Sequence, residues 1–134
     1  MAIEPFFDTN ILIYLTLGDP VKAQRAKEVV ANGGAISVQV LNEFVSVARR
    51  KHALGWKDMK DLLDDFRFRF RVEPLTGAIQ ERAVEIAEAH RLQIYDANIL
   101  AAAEQAGCDR LYSEDMQHGQ RVGGLTILNP FADI

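Results

Sequence analysis

One cysteine and three histidines in 134 residues leave several kinds of protein out at the start. A lone Cys108 cannot build an internal disulfide framework or a cysteine-rich zinc site. Its position after Ala106-Gly107, at the expected end of a helix, suits a small core residue. No histidine is placed for zinc or for a nucleophilic triad: His52 and His118 read as exposed, and His90 as packed on a helix face. Long apolar runs are missing too. Nothing approaches the length of a bilayer span, and the N-terminus lacks the basic-then-apolar layout of a signal peptide, so the expectation is a cytoplasmic protein. Neither a Walker nor a dinucleotide glycine pattern occurs, and Ser113 has no adjacent base or glycine-flanked elbow for serine hydrolase chemistry. An excess of cations is also lacking, with 15 Lys and Arg against 19 Asp and Glu, a net charge of −4 and a pI near 5.3. The bulk charge therefore lends nothing to nucleic-acid binding. It does not exclude it, because a site that gathers carboxylates around divalent cations makes a chain acidic and inverts the local charge a phosphate meets.

What is present is ordinary globular material, 49% hydrophobic and 25% charged, with no repeat or biased segment. The length suits one domain over residues 1–134 with a sizeable core. The chain is organised around Glu4-Pro5-Phe6-Phe7-Asp8-Thr9-Asn10-Ile11-Leu12-Ile13-Tyr14-Leu15. Ile3, Phe6 and Phe7 read as a short buried strand, Ile11 to Leu17 as a short helix, and Asp8 stands in the polar hinge between them. Ligands bind at such strand ends in open α/β sheets, although Asp, Thr and Asn also cap helices.

Further on, Val21 to Asn32 reads as a helix, Ala35 to Val38 as a strand, and Val38 to about Leu54 as a helix capped by Ser37. Val40, Leu41, Phe44, Val47 and Ala48 make its apolar stripe, and Glu43 lies where a side chain leaning back towards the N-terminus reaches the strand-end crevice. The cations Arg49, Arg50 and Lys51 come later on the same helix. Trp56 to about Phe68 reads as another helix. Phe66, Phe68, Phe70 and Val72 then alternate with Arg67, Arg69, Arg71 and Glu73, the two-residue period of a half-buried strand. An extended run there would align Arg67, Arg69 and Arg71 for RNA phosphates or an acidic protein partner, or to guard a sheet edge. Thr76 opens a helix to about Arg91 with Ile79, Ala83, Ile86, Ala87 and His90 inward. Asp96 stands at the start of a very apolar, alanine-rich helix, where free amides favour its charge. Arg110-Leu111-Tyr112 is a strand, followed by the polar Ser113-Glu114-Asp115, and Gly123 to Phe131 supplies the last strand. Strands alternating with helices predict an α/β fold: a three-layer α/β/α sandwich around a mainly parallel sheet of four or five short strands.

Asp8, Glu43, Asp96 and Asp115 each fall at a strand end or early in the following helix, and such ends share one edge of the sheet. Four carboxylates within a few ångströms cannot all stay ionised without cations. Magnesium or manganese, hard ions served by oxygen, would resolve the conflict, and one or two of them could activate water and stabilise the leaving oxygen of a phosphodiester.

Taken in order, Phe7-Asp8-Thr9-Asn10, Glu43 in its helix, Tyr95-Asp96-Ala97 and Leu111-Tyr112-Ser113-Glu114-Asp115-Met116 resemble the PIN-domain family, specifically the VapC-like toxin ribonucleases of type II toxin-antitoxin systems. The resemblance spans essentially the whole chain. It implies that Asp8, Glu43, Asp96 and Asp115 bind Mg2+ or Mn2+ and catalyse endonucleolytic cleavage of RNA, with Asn10, Ser113 and Thr9 supporting the acids. Serine at 113, where the family often has threonine, keeps the hydroxyl. Glu114, next to the motif acid, points elsewhere if the loop is extended. The resemblance further implies a small antitoxin partner and a homodimer, with the arginine row and the surface around Tyr14 as places for contact. Two alternatives stand beside it. A phosphatase using Asp8 as nucleophile would want a second acid at position 10, where Asn10 stands. A catalytically silent RNA- or protein-binding module would be expected to have lost an acid, and none is lost.

Overall fold

Four helix starts are set by a side chain at the cap. In the computed structural model, which describes residues 3–134, Asp8 precedes α1 (Thr9–Leu17), and Asp19 precedes α2 (Pro20–Val30). Asp19 Oδ1 accepts from the backbone amides of Val21 and Lys22 at 2.9 and 3.0 Å. Pro20 follows it at the first helical position, where no amide is missed. Ser37 caps α3 (Val38–His52) through the Val40 amide, and Thr76 caps α5 (Gly77–His90) through the Ile79 amide. α4 (Trp56–Arg69) and α6 (Ile94–Gln105) have no side-chain cap. Asp96 in the first turn of α6 is thus not spent on capping.

Six short strands among the described residues form one sheet: β1 (Phe6–Phe7), β2 (Ala35–Ser37), β3 (Arg71–Glu73), β4 (Arg110–Tyr112), β5 (Arg121–Val122) and β6 (Leu125–Leu128). Their order is β3-β2-β1-β4-β6-β5, parallel throughout except for the β5–β6 hairpin. The chain runs outward from β1 through β2 to β3 and then returns to the other side of β1 as β4. The order therefore reverses at β1, and the crevice of a doubly wound sheet opens there, beyond the carboxyl ends of the strands. Phe6, Phe7, Ile36, Leu111 and Ile127 are fully buried, as parallel strands covered on both faces require. α6 lies across β2, β3, β4 and β6 with α5 packed on it, and its alanines Ala101, Ala102 and Ala103 are at most 2% exposed. Gly34, at φ +154, keeps β1 and β2 close: a Cβ there would lie 2.5 Å from Cε2 of Phe7 and 2.7 Å from the Pro5 carbonyl.

The structure corrects several readings. Ile3 lies before β1 and is 54% exposed, because the chain enters the sheet only at Phe6. The sheet has six strands where four or five were expected. The added β5 pairs with β6 around Gly123-Gly124, a two-residue hairpin turn with Gly123 at φ +58. His90 is only half-buried. The alternation from Phe66 onward is extended only at its end, in β3, since α4 continues to Arg69. Met59, Phe66 and Phe70 form one buried stripe, and Phe68 turns out to solvent at 91% exposure. Helical spacing unites Phe66 and Phe70, four residues apart, and leaves Phe68 on the opposite face. The arginine row consequently does not form. Arg67 pairs with Asp64 and Arg69 with Asp65 along the helix, while Arg71 begins β3 beside Glu4 and Glu73.

Candidate active site

Asp8 leaves β1 at the reversal point and is 4% exposed. Its Oδ1 accepts from the Thr9 amide at 2.7 Å, and its Oδ2 from the Ser113 hydroxyl at 2.7 Å. Ser113 follows β4, the strand beside β1, so the parallel register of Phe7 against Tyr112 brings the two together. Asn10 links two acids: its Nδ2 donates to Asp8 Oδ2 at 3.5 Å and to Asp115 Oδ2 at 3.3 Å, while its Oδ1 accepts from the Glu114 amide at 3.1 Å. Thr9 Oγ1 donates to Glu43 Oε2 at 2.9 Å, and Gln39 Nε2 to Glu43 Oε1 at 3.3 Å. The Asp8-Thr9-Asn10 tripeptide thus supplies one of the four acids and hydrogen-bonds two of the others. Asp96, half-buried, makes no side-chain hydrogen bond among the described residues. All four acids line one cleft of about 920 Å³.

Electrostatics couple the acids. Burial pushes the Asp8 carboxyl up to about 7; the Ser113 hydroxyl and Thr9 amide pull it down, and the charges of Glu43 and Asp96 push it further up. Asp96 is raised as well, first by burial and then by Glu43 and Asp115. Among the described residues no group of three or more His, Cys, Asp or Glu side chains is drawn together closely enough to hold an ion by itself. An all-oxygen set that is open to water matches magnesium, which keeps much of its hydration and takes only one or two carboxylates at a time. The donor chemistry therefore fits a hard divalent cation and not a tetrahedral site of nitrogen and sulfur ligands.

Sequence reading misses other groups in this cleft. Glu114, expected to point elsewhere, sits at the rim, accepting from Tyr14 Oη at 2.5 Å and Lys22 Nζ at 2.6 Å. Lys22 also stands 4.7 Å from the centre of the Tyr14 ring. Arg50, Lys51 and His52, from the end of α3, also line the cleft, and Tyr95 lines it beside Asp96. The run of cations after Glu43 is the available signal for the first group. Arg67, Arg69 and Arg71 do not line it.

A doubly wound α/β chain with a carboxylate-lined cleft at its switch point belongs to a restricted class. The PIN domain family model matches residues 6–122, and the chain belongs to that family. No curated protein sequence matches it. Among solved structures, it resembles a chain of a toxin-antitoxin complex from Klebsiella pneumoniae, with a TM-score of 0.71 and 25% identity over 94% of this chain and 97% of that one. It also resembles a chain of the DNA-bound VapBC complex of Salmonella typhimurium (TM-score 0.69, 20% identity, 94% and 97% covered). A third is Mycobacterium tuberculosis VapC20, described as a sarcin-ricin loop cleaving toxin (TM-score 0.67, 21% identity, 80% and 86% covered).

Proposed function

We propose that this PIN-domain protein is a Mg2+- or Mn2+-dependent endoribonuclease and the toxin of a toxin-antitoxin pair. The observation that carries the reading is the cleft: four carboxylates from four separate parts of the chain line one space, and burial, with their mutual charges added to it, raises the pKa values of Asp8 and Asp96. Such an arrangement costs stability unless a cation balances it. Asp8, Asp96 and Asp115, with Glu43, would hold the ion. Bound there, it supplies charge neutralisation, an activated water and stabilisation of the departing oxygen of an RNA phosphodiester.

The remaining residues prepare that site. Ser113 and the Thr9 amide hold Asp8 in one orientation and favour its ionised form. Asn10 keeps Asp115 turned towards Asp8. Thr9 and Gln39 hold Glu43 against the same cleft from the helix wall. The neighbours described as toxin-antitoxin and VapBC complexes support a small antitoxin as partner, and we include the homodimer in the proposal.

The decisive assay incubates single-stranded RNA with the chain, with and without Mn2+, alongside Asp8→Asn and Asp96→Asn. Cleavage that needs the ion and is lost in both variants is expected. Cleavage that survives both substitutions refutes the site, and hydrolysis of a small phosphate ester but not of RNA favours a phosphatase. Expression of the chain alone in bacteria tests the toxin role: growth arrest is expected, and relief by Asp8→Asn.

A further inference from the structure

The cleft is lined by the four acids together with Asp19 and Glu114, and by the basic residues Arg50, Lys51 and His52, all three from the end of α3. α3 presents Gln39, Glu43, Ser46 and Arg50 to it at helical spacing. From Glu43 to Arg50 is two turns, about 10 Å along the axis, over which the wall changes from acid to base. Cations in a last turn complement the helix dipole, which accounts for their place in the sequence but not for which of them remain unpaired. Arg49 is committed, donating to the Leu54 carbonyl at 2.8 Å and covering the Trp56 ring at 4.7 Å. Arg50 and Lys51 make no ion pair or side-chain hydrogen bond among the described residues. Lys22, which is not itself among the cleft-lining residues, is held by Glu114 and Tyr14. Tyr95 stands next to Asp96 with 61% of its surface exposed, a large aromatic presented to water inside the cleft.

From this asymmetry we infer that the cleft takes a single strand of RNA in one path, from the carboxylates along α3 to Arg50 and Lys51, with an unpaired base stacked on Tyr95. The inference rests on the ribonuclease reading and adds the strand's course and form. Guanidinium and ammonium groups beyond the acids neutralise phosphates flanking the one to be cut. An exposed aromatic in a cleft that also carries cations is a platform for an unpaired base. In an A-form duplex the bases are stacked on one another and cannot lie on a side chain, so Tyr95 selects a single strand or loop.

The test measures binding without cutting. A short fluorescent single-stranded RNA is titrated by anisotropy in Mg2+ over a salt series, using the Asp8→Asn chain, with circular dichroism to confirm each variant's fold. Adding Arg50→Ala should weaken binding and reduce the slope of log K against log salt by about 0.7, the value for one phosphate contact on a single strand. Adding Lys51→Ala as well should reduce it further. Tyr95→Ala should weaken binding about tenfold to a hundredfold with the slope unchanged, Tyr95→Phe should bind normally, and duplex RNA should be indifferent to Tyr95. Unchanged slopes in the Arg50 and Lys51 variants, or a Tyr95→Ala chain that binds fully, overturn the path. If those variants instead weaken only an antitoxin's binding, the wall serves a protein partner and the assignment falls. The two readings fail separately. A wild-type chain that never cuts RNA but shows these slope changes sinks the nuclease and keeps the strand path. One that cuts through Asp8 but ignores Arg50, Lys51 and Tyr95 sinks only the path.

Discussion

Replacing Asp8 with asparagine should stabilise the ion-free chain, and increasingly so as pH rises. The Asp8 carboxyl is lifted from 3.8 to about 7, chiefly by burial, which corresponds to about 4 kcal/mol. Because the folded chain holds this proton more tightly than the unfolded chain, the associated stability is complete below about pH 3.8 and is lost as pH climbs through about 7. The asparagine side chain carries no charge to be penalised in this way. Asparagine keeps only one accepting oxygen where Asp8 has two, so either the Thr9 amide or the Ser113 hydroxyl loses its acceptor, at a cost of about 1 kcal/mol. At about pH 8 in chelator the variant should therefore be more stable by about 3 kcal/mol, or about 10 °C in Tm for a chain of this size. Near the acid end of the range, at about pH 4, the advantage should vanish. Thermal melts of both proteins across this range, in chelator, make the measurement. Adding Mg2+ or Mn2+ at the alkaline end should then raise the wild-type Tm by mass action and leave Asp8→Asn nearly unmoved. A difference between the two proteins that does not grow with pH would show that Asp8 sits in an environment quite unlike the one described.

Ser113→Ala removes the 2.7 Å donor to Asp8, so the Asp8 carboxyl should titrate higher still by carbon-detected NMR, and the fold should lose about 1–3 kcal/mol at about pH 8. Ser113→Thr, which keeps the hydroxyl, should restore the wild-type titration. Lys22→Met frees Glu114 from the ion pair that holds the Asp115 loop at the cleft rim. Steady-state kinetics should show kcat falling on the order of tenfold or more through misplacement of Asp115, with KM little changed, whereas an unaltered kcat would mean the pair is only a surface contact. Phe66→Ala should cost about 3–5 kcal/mol in chemical denaturation and Phe68→Ala no more than about 0.5 kcal/mol. Equal losses at the two positions would revive the strand that the helix replaces.

The α/β class, the parallel sheet and most helix starts were legible because each rests on short-range rules. Caps such as Ser37 and Thr76 act within three residues, and an apolar stripe such as Val40, Leu41, Phe44 and Ala48 repeats within one helix. Where two periods fit the same residues, local rules had no way to choose. Phe66, Phe68 and Phe70 alternate like a strand, yet Phe66 and Phe70 are also one helical turn apart. Phe66 packs edge-on against Phe44 from another helix, with ring centres 4.9 Å apart, and that distant contact belongs to the helical choice. β5 escaped for a related reason, since Arg121 and Val122 form no apolar run like Phe6-Phe7 and become a strand only by pairing with β6.

The order of amino acids alone told which residue types could do chemistry, and that each stood at a strand end or an early helical turn. That Asp8, Glu43, Asp96 and Asp115 share one cleft followed from the strand order, which reverses at β1 and sets β2 and β4 on either side of it. It took the folded chain to decide that Glu114 is taken up by Lys22 and Tyr14, that Arg50 and Lys51 remain unpaired among the described residues, and that Arg67, Arg69 and Arg71 stand elsewhere. The difference is one of range. Capping and periodicity are settled among neighbours in the chain, whereas the charge a side chain meets is settled by whatever the fold brings beside it.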